Sequence, residues 1–156
     1  MVEETTELGK RKAAAMRDNT ARHLSTLHTL LYRVTRGRIG HRLVNNDMLL
    51  LTTTGRQSGK RHTVPLLYLR DDDDLVVIAS WGGRDHHPEW FLNLLADERA
   101  EVQIDERRTA VVAVTADPAR REALWPRVLA AYDGYRVYES RTDREIPVVI
   151  LRPVRI

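Results

Sequence analysis

The stretch Leu49–Leu69, LLLTTTGRQSGKRHTVPLLYL, constrains the fold more than any other part of the chain. Two runs of β-branched and apolar residues, Leu49–Thr54 and His62–Leu69, flank a loop, Gly55–Arg61, with a glycine at each of positions 55 and 59. That pattern predicts a β-hairpin rather than a helix. The loop offers Arg56, Gln57, Ser58, Lys60 and Arg61, and its glycines let backbone N–H groups turn outward. Such a loop is chemically suited to cradling a phosphate or a carboxylate. A nucleotide P-loop is excluded, because that motif needs four residues between its first glycine and its Gly-Lys, and then Ser or Thr. Here three residues separate Gly55 from Gly59, and Arg61 follows Lys60. The plainer alternative is a solvated hairpin turn with ordinary surface charge.

The remaining segments extend the hairpin pattern. Leu75–Ser80, Glu101–Asp105, Arg108–Thr115 and Ile146–Arg152 read as strands, the last so apolar that both of its faces are expected to be buried. Asp71–Asp74 reads as a solvated turn, lacking the spaced acids and glycine of a calcium loop. Helices are predicted from Pro88 to about Ala96, with Trp90, Phe91, Leu94 and Leu95 facing inward, and from Asp117-Pro118 to about Tyr132. Tyr132, Tyr135 and Tyr138 would share one face of a helical turn, more often a packing stripe than chemistry. The adjacent His86 and His87 have no matched third ligand, so capping or a pocket wall is expected there and no metal. About six strands arranged in hairpins argue for an α+β chain built on an antiparallel sheet curled into a barrel.

With 156 residues, the chain is long enough for one domain with a sizeable core. The absence of cysteine excludes disulfides, thiolate metal sites and cysteine nucleophiles, and suits a reducing cytoplasm. The polar, acidic start is no secretory signal, and the apolar runs are too short to span a bilayer. The net charge of +3 is unevenly spread: Lys10–Arg42 holds nine Lys/Arg and one acid. Leu24, Leu27, Leu31 and Val34 recur there at helical spacing, which predicts a basic amphipathic helix ending near Gly37. Packing on the domain is its simplest role. Docking on an anionic membrane is the functional alternative. Nucleic acid ranks last, because the segment has one Tyr and neither Trp nor Phe for stacking. Residues 1–22 are read as a basic, partly disordered segment and 23–156 as the single domain.

The ordered set Leu50-Leu51-Thr52, Gly55-Arg56-x-Ser58-Gly59, Pro65-Leu66, Ala79-Ser80-x-Gly82-Gly83, His87-Pro88-x-Trp90 and Asn93-Leu94 resembles the deazaflavin-dependent nitroreductase and quinone reductase family. The later Tyr132-x-x-Tyr135-x-x-Tyr138 and Arg141-Thr142-x-Arg144-x-Ile146-Pro147 continue the likeness, which spans roughly residues 25–153. The resemblance implies a split β-barrel that binds reduced coenzyme F420, an 8-hydroxy-5-deazaflavin. It also implies hydride transfer to a quinone, a nitro compound or an activated enone, with membrane association in some members. By that pattern Arg56, Ser58 and Gly59 hold the cofactor's phosphate and glutamate tail, with Gln57, Lys60, Arg61 and His62 beside them. Pro65 and Leu66 shape the wall under the ring, and Ala79, Ser80, Trp81, Gly82 and Gly83 line it. Tyr135 falls at the position implicated in substrate orientation and proton donation, flanked by Tyr132, Tyr138 and Trp81. Three residues depart from the pattern: Gln57 where Lys is usual, His62 where Arg is frequent, and Trp81 where Lys is common. The last makes the pocket mouth more apolar and hints at a hydrophobic substrate.

The resemblance therefore implies an F420H2-dependent reductase located in the cytoplasm, or peripherally on the inner face of the plasma membrane. Its partner is a small-molecule electron acceptor, and a homodimer is compatible with the fold. Competing readings are an oxidoreductase using flavin mononucleotide, a non-catalytic deazaflavin carrier, and a membrane- or nucleic-acid-binding module driven by the basic N-terminal segment.

Overall fold

A computed structural model describes residues 48–155. The predicted basic helix, its membrane role and the segment 1–22 lie outside these residues. Seven strands form one antiparallel sheet: β1 (Met48–Thr54), β2 (Arg61–Leu67), β3 (Leu69–Asp71), β4 (Asp74–Ile78), β5 (Arg99–Ile104), β6 (Arg107–Thr115) and β7 (Val148–Pro153). Their spatial order is β2-β1-β5-β6-β7-β4-β3. The outermost strands β2 and β3 are consecutive in the chain and separated only by Tyr68, so the sheet curls towards closure through its own connection. The expected split antiparallel barrel is therefore observed, with seven strands in place of about six. The run read as one strand from His62 to Leu69 is broken at Tyr68. There the chain leaves β1 and takes β4 as its partner, and a sharp curl cannot keep both pairings on one straight strand.

Alternation along the strands builds two cores at once. In β4, Leu75 and Val77 point into the barrel, while Val76 and Ile78 point to the other side. β7 repeats the division, with Val149 and Leu151 inside and Val148 and Ile150 outside. Period-2 geometry makes this unavoidable, and it explains why these two strands carry almost no polar residue. The barrel interior is plugged by α1 (Glu89–Ala96), through Trp90, Phe91 and Leu94. The outer face of β4 and β7 is covered by α2 (Pro118–Ala131) and α3 (Gly134–Ser140), through Leu124, Val128 and Tyr135. α2 starts as its sequence predicts: the Asp117 carboxylate accepts from the Arg120 N–H at 2.8 Å, and Pro118 opens the helix.

Two local expectations fail. Leu95 is 62% exposed, and the inward position goes to Asn93, because the face set by Trp90 continues through residues 93 and 94. Asp71 is also more than part of a solvated turn. It ends β3, its carboxylate is largely covered, and Arg120 and Arg127 of α2 both bind it. Among the described residues, no helix is long and apolar enough to cross a membrane.

Candidate functional site

The hairpin loop between β1 and β2 is closed by its own backbone. Gly55 N–H donates to Lys60 O at 2.7 Å, and Gly59 N–H donates to Gly55 O at 2.8 Å. Gly59 has φ +67° and faces open space, so glycine is favoured there by conformation alone. Ser58 Oγ accepts from Lys60 N–H at 3.2 Å and lies 3.4 Å from His62 Nε2. Arg56 is tied to α1, where its Nη1 donates to Glu89 Oε2 at 2.6 Å and to Asn93 Oδ1 at 3.2 Å. The Arg56 backbone N–H also reaches Asn93 Oδ1, at 3.1 Å. Asn93 completes the link by donating from Nδ2 to Thr53 Oγ1 at 3.2 Å. A buried amide therefore fastens the loop to the barrel's plug.

Two clefts open beside this loop. The first, of about 680 Å³, runs along Arg56, Gln57, Ser58 and His62 to Trp81, Trp90 and Asn93. The second, of about 590 Å³, is walled by Pro65, Leu66, Ser80, Trp81 and Gly82 on one side. Tyr132, Tyr135, Tyr138 and Arg141 wall its other side. Val64, Trp81 and Trp90 border both clefts, so the two form one site with a polar arm and an apolar arm. Each volume falls in the range of small-molecule and cofactor sites.

The bend between β4 and α1 gives the apolar arm its shape. Trp81, Gly82 and Gly83 have φ of +48°, +65° and +79°, so the chain makes a short left-handed turn. At Gly83 a Cβ would sit 2.5 Å from Tyr138 O, so α3 packs directly on the backbone. The Trp81 ring lies 4.9 Å from the Arg84 guanidinium, and its buried Nε1–H has no hydrogen-bond partner among the described residues. Arg144 braces this bend, donating to the carbonyls of Ala79, Ser80 and Arg84.

The three tyrosines share one face, as their spacing predicts, and meet ring to ring at 5.3 to 6.2 Å. Tyr132 and Tyr138 hydroxyls lie 3.4 Å apart. That shared hydrogen bond, together with burial, pushes the Tyr138 phenol up to about 12. Tyr135 is buried, and burial followed by its two neighbours raises its pKa well above the usual phenol value. It keeps its proton throughout the physiological range.

The structure thus brings Arg56, Gln57, Ser58, His62, Pro65, Leu66, Ser80, Trp81, Gly82 and the three tyrosines to one site. Five expected residues do not line it. Gly59 and Lys60 sit on the exposed outer turn of the loop, and Arg61 points along the sheet to Glu101 at 3.8 Å. Ala79 is fully buried in the core, and Gly83 lies beneath α3. Among the described residues His87 joins no metal-binding cluster. Its ring packs edge-on to Phe91, and its Nδ1 pairs with Arg144 Nη1 at 3.1 Å. Among the described residues no group of three or more His, Cys, Asp or Glu could hold a metal. Sequence reasoning gave no role to Glu89, Asn93 or Arg144. Only Asn93 had a local signal, a polar residue on an otherwise apolar helix face.

A guanidinium, a hydroxyl and an imidazole on one arm suit an anionic tail, and flat apolar walls with phenols on the other suit an aromatic ring. The donor set therefore fits a phosphate-tailed ring cofactor. Residues 24–153 match the F420H(2)-dependent quinone reductase family. The F420H(2)-dependent quinone reductase Rv1261c of Mycobacterium tuberculosis is 39% identical over 132 residues, covering 82% of this chain and 89% of that protein. A solved F420-H2 dependent reductase, FDR-A, is 35% identical with a TM-score of 0.62, covering 67% of this chain and 93% of its own. A solved domain-swapped dimer is 30% identical with a TM-score of 0.65, covering 88% of this chain and 96% of its own. The barrel, the two-armed site and these likenesses converge: the chain belongs to the F420H(2)-dependent quinone reductase family, oxidoreductases whose cofactor is coenzyme F420.

Proposed function

We propose that the chain reduces a quinone-type acceptor in the apolar arm while the polar arm holds the cofactor's anionic tail. The observation that carries this reading is the meeting at Trp81 of a polar cleft bearing Arg56, Ser58 and His62 with a tyrosine-lined cleft. Arg56, Ser58 and His62 would bind the tail, with Arg56 exchanging its exposed Glu89 partner for phosphate or carboxylate oxygen. Pro65, Leu66 and the Ser80–Gly82 backbone would flank the ring. When bound, reduced F420 supplies the hydride.

The protein's own contribution is to position, to exclude water and to polarise. Tyr132 and Tyr138 fill the mouth of the arm and keep water from the reacting face. Tyr135, neutral and desolvated, donates a hydrogen bond to the acceptor oxygen as negative charge develops there. Its raised pKa suits a donor that keeps its proton until that charge has formed. Trp81 favours a hydrophobic acceptor; nitroaromatics and enones of similar shape would enter the same arm. Homodimer formation is part of this reading, supported by the domain-swapped dimer among similar structures. Peripheral contact with an anionic membrane through residues 10–42 rests on their sequence alone, and liposome binding before and after removal of residues 1–22 tests it.

The deciding experiment is a fluorescence titration of the purified protein with reduced F420 and with flavin mononucleotide, followed by addition of menadione. Tight F420 binding followed by cofactor oxidation supports the reading. Binding without cofactor oxidation by this or any other quinone supports a carrier, and preference for flavin mononucleotide overturns the assignment.

A further inference from the structure

Trp81–Gly83 is the most strained backbone at the site, with three positive φ values in a row, the first on a residue bearing a large side chain. A non-glycine residue stays in that region only where its surroundings over-determine it. Arg144 supplies that determination from more than 60 residues away. Its Nη2 donates to Ser80 O at 2.9 Å and Ala79 O at 3.2 Å, before the turn, and its Nε donates to Arg84 O at 2.8 Å, after it. One planar guanidinium thus grips both ends of the bend. Its remaining nitrogen, Nη1, lies 3.1 Å from His87 Nδ1. A guanidinium has only donors, so this bond requires His87 to be neutral with Nδ1 as acceptor. Arg144 lines neither cleft itself.

We propose that Arg144 is a positioning residue: with neutral His87 it clamps the Trp81–Gly83 turn into the wall shared by both arms of the site. The inference rests on the reading that this wall meets the cofactor. Lysine cannot replace Arg144, because a single ammonium on a flexible stem cannot span carbonyls on both sides of the bend. Acid opens the clamp. The groups facing His87 are Arg144 and His86, with the Phe91 ring edge beside it, while Asp85 acts on Arg144. Burial and the Arg144 charge hold His87 below the usual histidine value, so it accepts at neutral pH. When it is protonated, an N–H replaces the acceptor and faces a second cation.

The test uses the full chain as wild type, Arg144→Lys, Arg144→Gln and His87→Asn. Folding is checked by circular dichroism, affinity by oxidised-F420 fluorescence, and the turn by hydrogen–deuterium exchange of the peptide spanning 79–87. Both Arg144 variants are expected to stay folded, to bind F420 about tenfold more weakly, and to exchange faster in that peptide alone. Wild-type affinity is expected to fall between pH 7.5 and 5 more steeply than that of His87→Asn, whose amide oxygen accepts without titrating. Folded Arg144→Gln with wild-type affinity and exchange would overturn the proposal. So would rescue by lysine, or equal pH slopes in wild type and His87→Asn, and the slopes decide if the Arg144 variants do not fold. If wild type binds no F420, the proposed function fails, and exchange at 79–87 in the Arg144 variants still supports or overturns the clamp.

Discussion

The two arms of the site are held by different physics. The polar arm rests on a hairpin loop whose residues 56–60 are all exposed and whose anchors to the plug helix are two hydrogen bonds to Asn93 and one to Glu89, all from Arg56. The apolar arm rests on backbone packed between α3 and the two-sided core of β4 and β7. The first can exchange its partners when an anion arrives, at the cost of a surface ion pair. The second must be right before anything binds, because shifting it would open a packed interior. The difference teaches that affinity for the tail is adjustable, whereas the geometry of the reacting end is fixed on folding.

The strongest way to break this comparison is to place one methyl group in the backbone that supports each arm. Gly83→Ala puts a Cβ against Tyr138 O and Arg141 Cβ in a backbone with positive φ, so both strain and overlap oppose folding. A loss of about 3 kcal/mol in urea denaturation is expected. Gly59→Ala meets nothing within 4 Å and bears only the left-handed penalty, about 1 kcal/mol. Equal losses at the two glycines would erase the distinction between a packed arm and an open one.

Tyr135→Phe comes next. It removes the hydroxyl and leaves the ring that packs against Tyr132 and Trp125. Turnover should fall about 100-fold with F420 affinity unchanged. A fall in affinity instead would move Tyr135 from the reaction to the cofactor. Because the folded phenol has a pKa above the unfolded value of 10, its contribution to stability is complete below pH 10 and is lost above it. Turnover should therefore show no alkaline limb from Tyr135 below pH 10.

Asn93→Ala sharpens the other side of the comparison. It leaves Thr53 Oγ1 and the Arg56 N–H without their buried partner and frees the loop from α1. About 2 kcal/mol should be lost on thermal or urea unfolding. F420 affinity should fall while turnover at saturating cofactor holds.

These contrasts also mark how far the sequence can be read. The hairpin, the strand alternation and the caps were legible because each depends on neighbours within a few residues, as Asp117 and Pro118 show. The break at Tyr68 was not, since it depends on which strand lies beside the chain after the curl. Asp71 looked like one acid in a run of four, and only the docking of α2 turns it into the anchor of Arg120 and Arg127. Likewise a Gly-Gly pair after a strand, as at Gly82-Gly83, permits close backbone approach, yet nothing local indicates that Trp81 joins the left-handed turn or that Arg144 braces it. Side chains acting across tens of residues leave no periodicity to find.

The smallest expected effect probes how the polar arm is kept in reserve. Glu89 is well exposed, and its carboxylate holds Arg56 at 2.6 Å in a pair of modest worth. It also opens α1, where an acid is favoured by the helix dipole. Glu89→Gln removes the competing charge while keeping a hydrogen-bond acceptor of the same length. Stability should fall by about 0.5 kcal/mol through the lost dipole interaction, and F420 should bind about two- to threefold more tightly because Arg56 no longer has to leave a carboxylate. The gain should shrink as salt is raised, since both the pair and its replacement are screened. Weaker binding in Glu89→Gln would mean that the carboxylate aims Arg56 at the tail rather than competing with it. The polar arm would then be as preorganised as the apolar one.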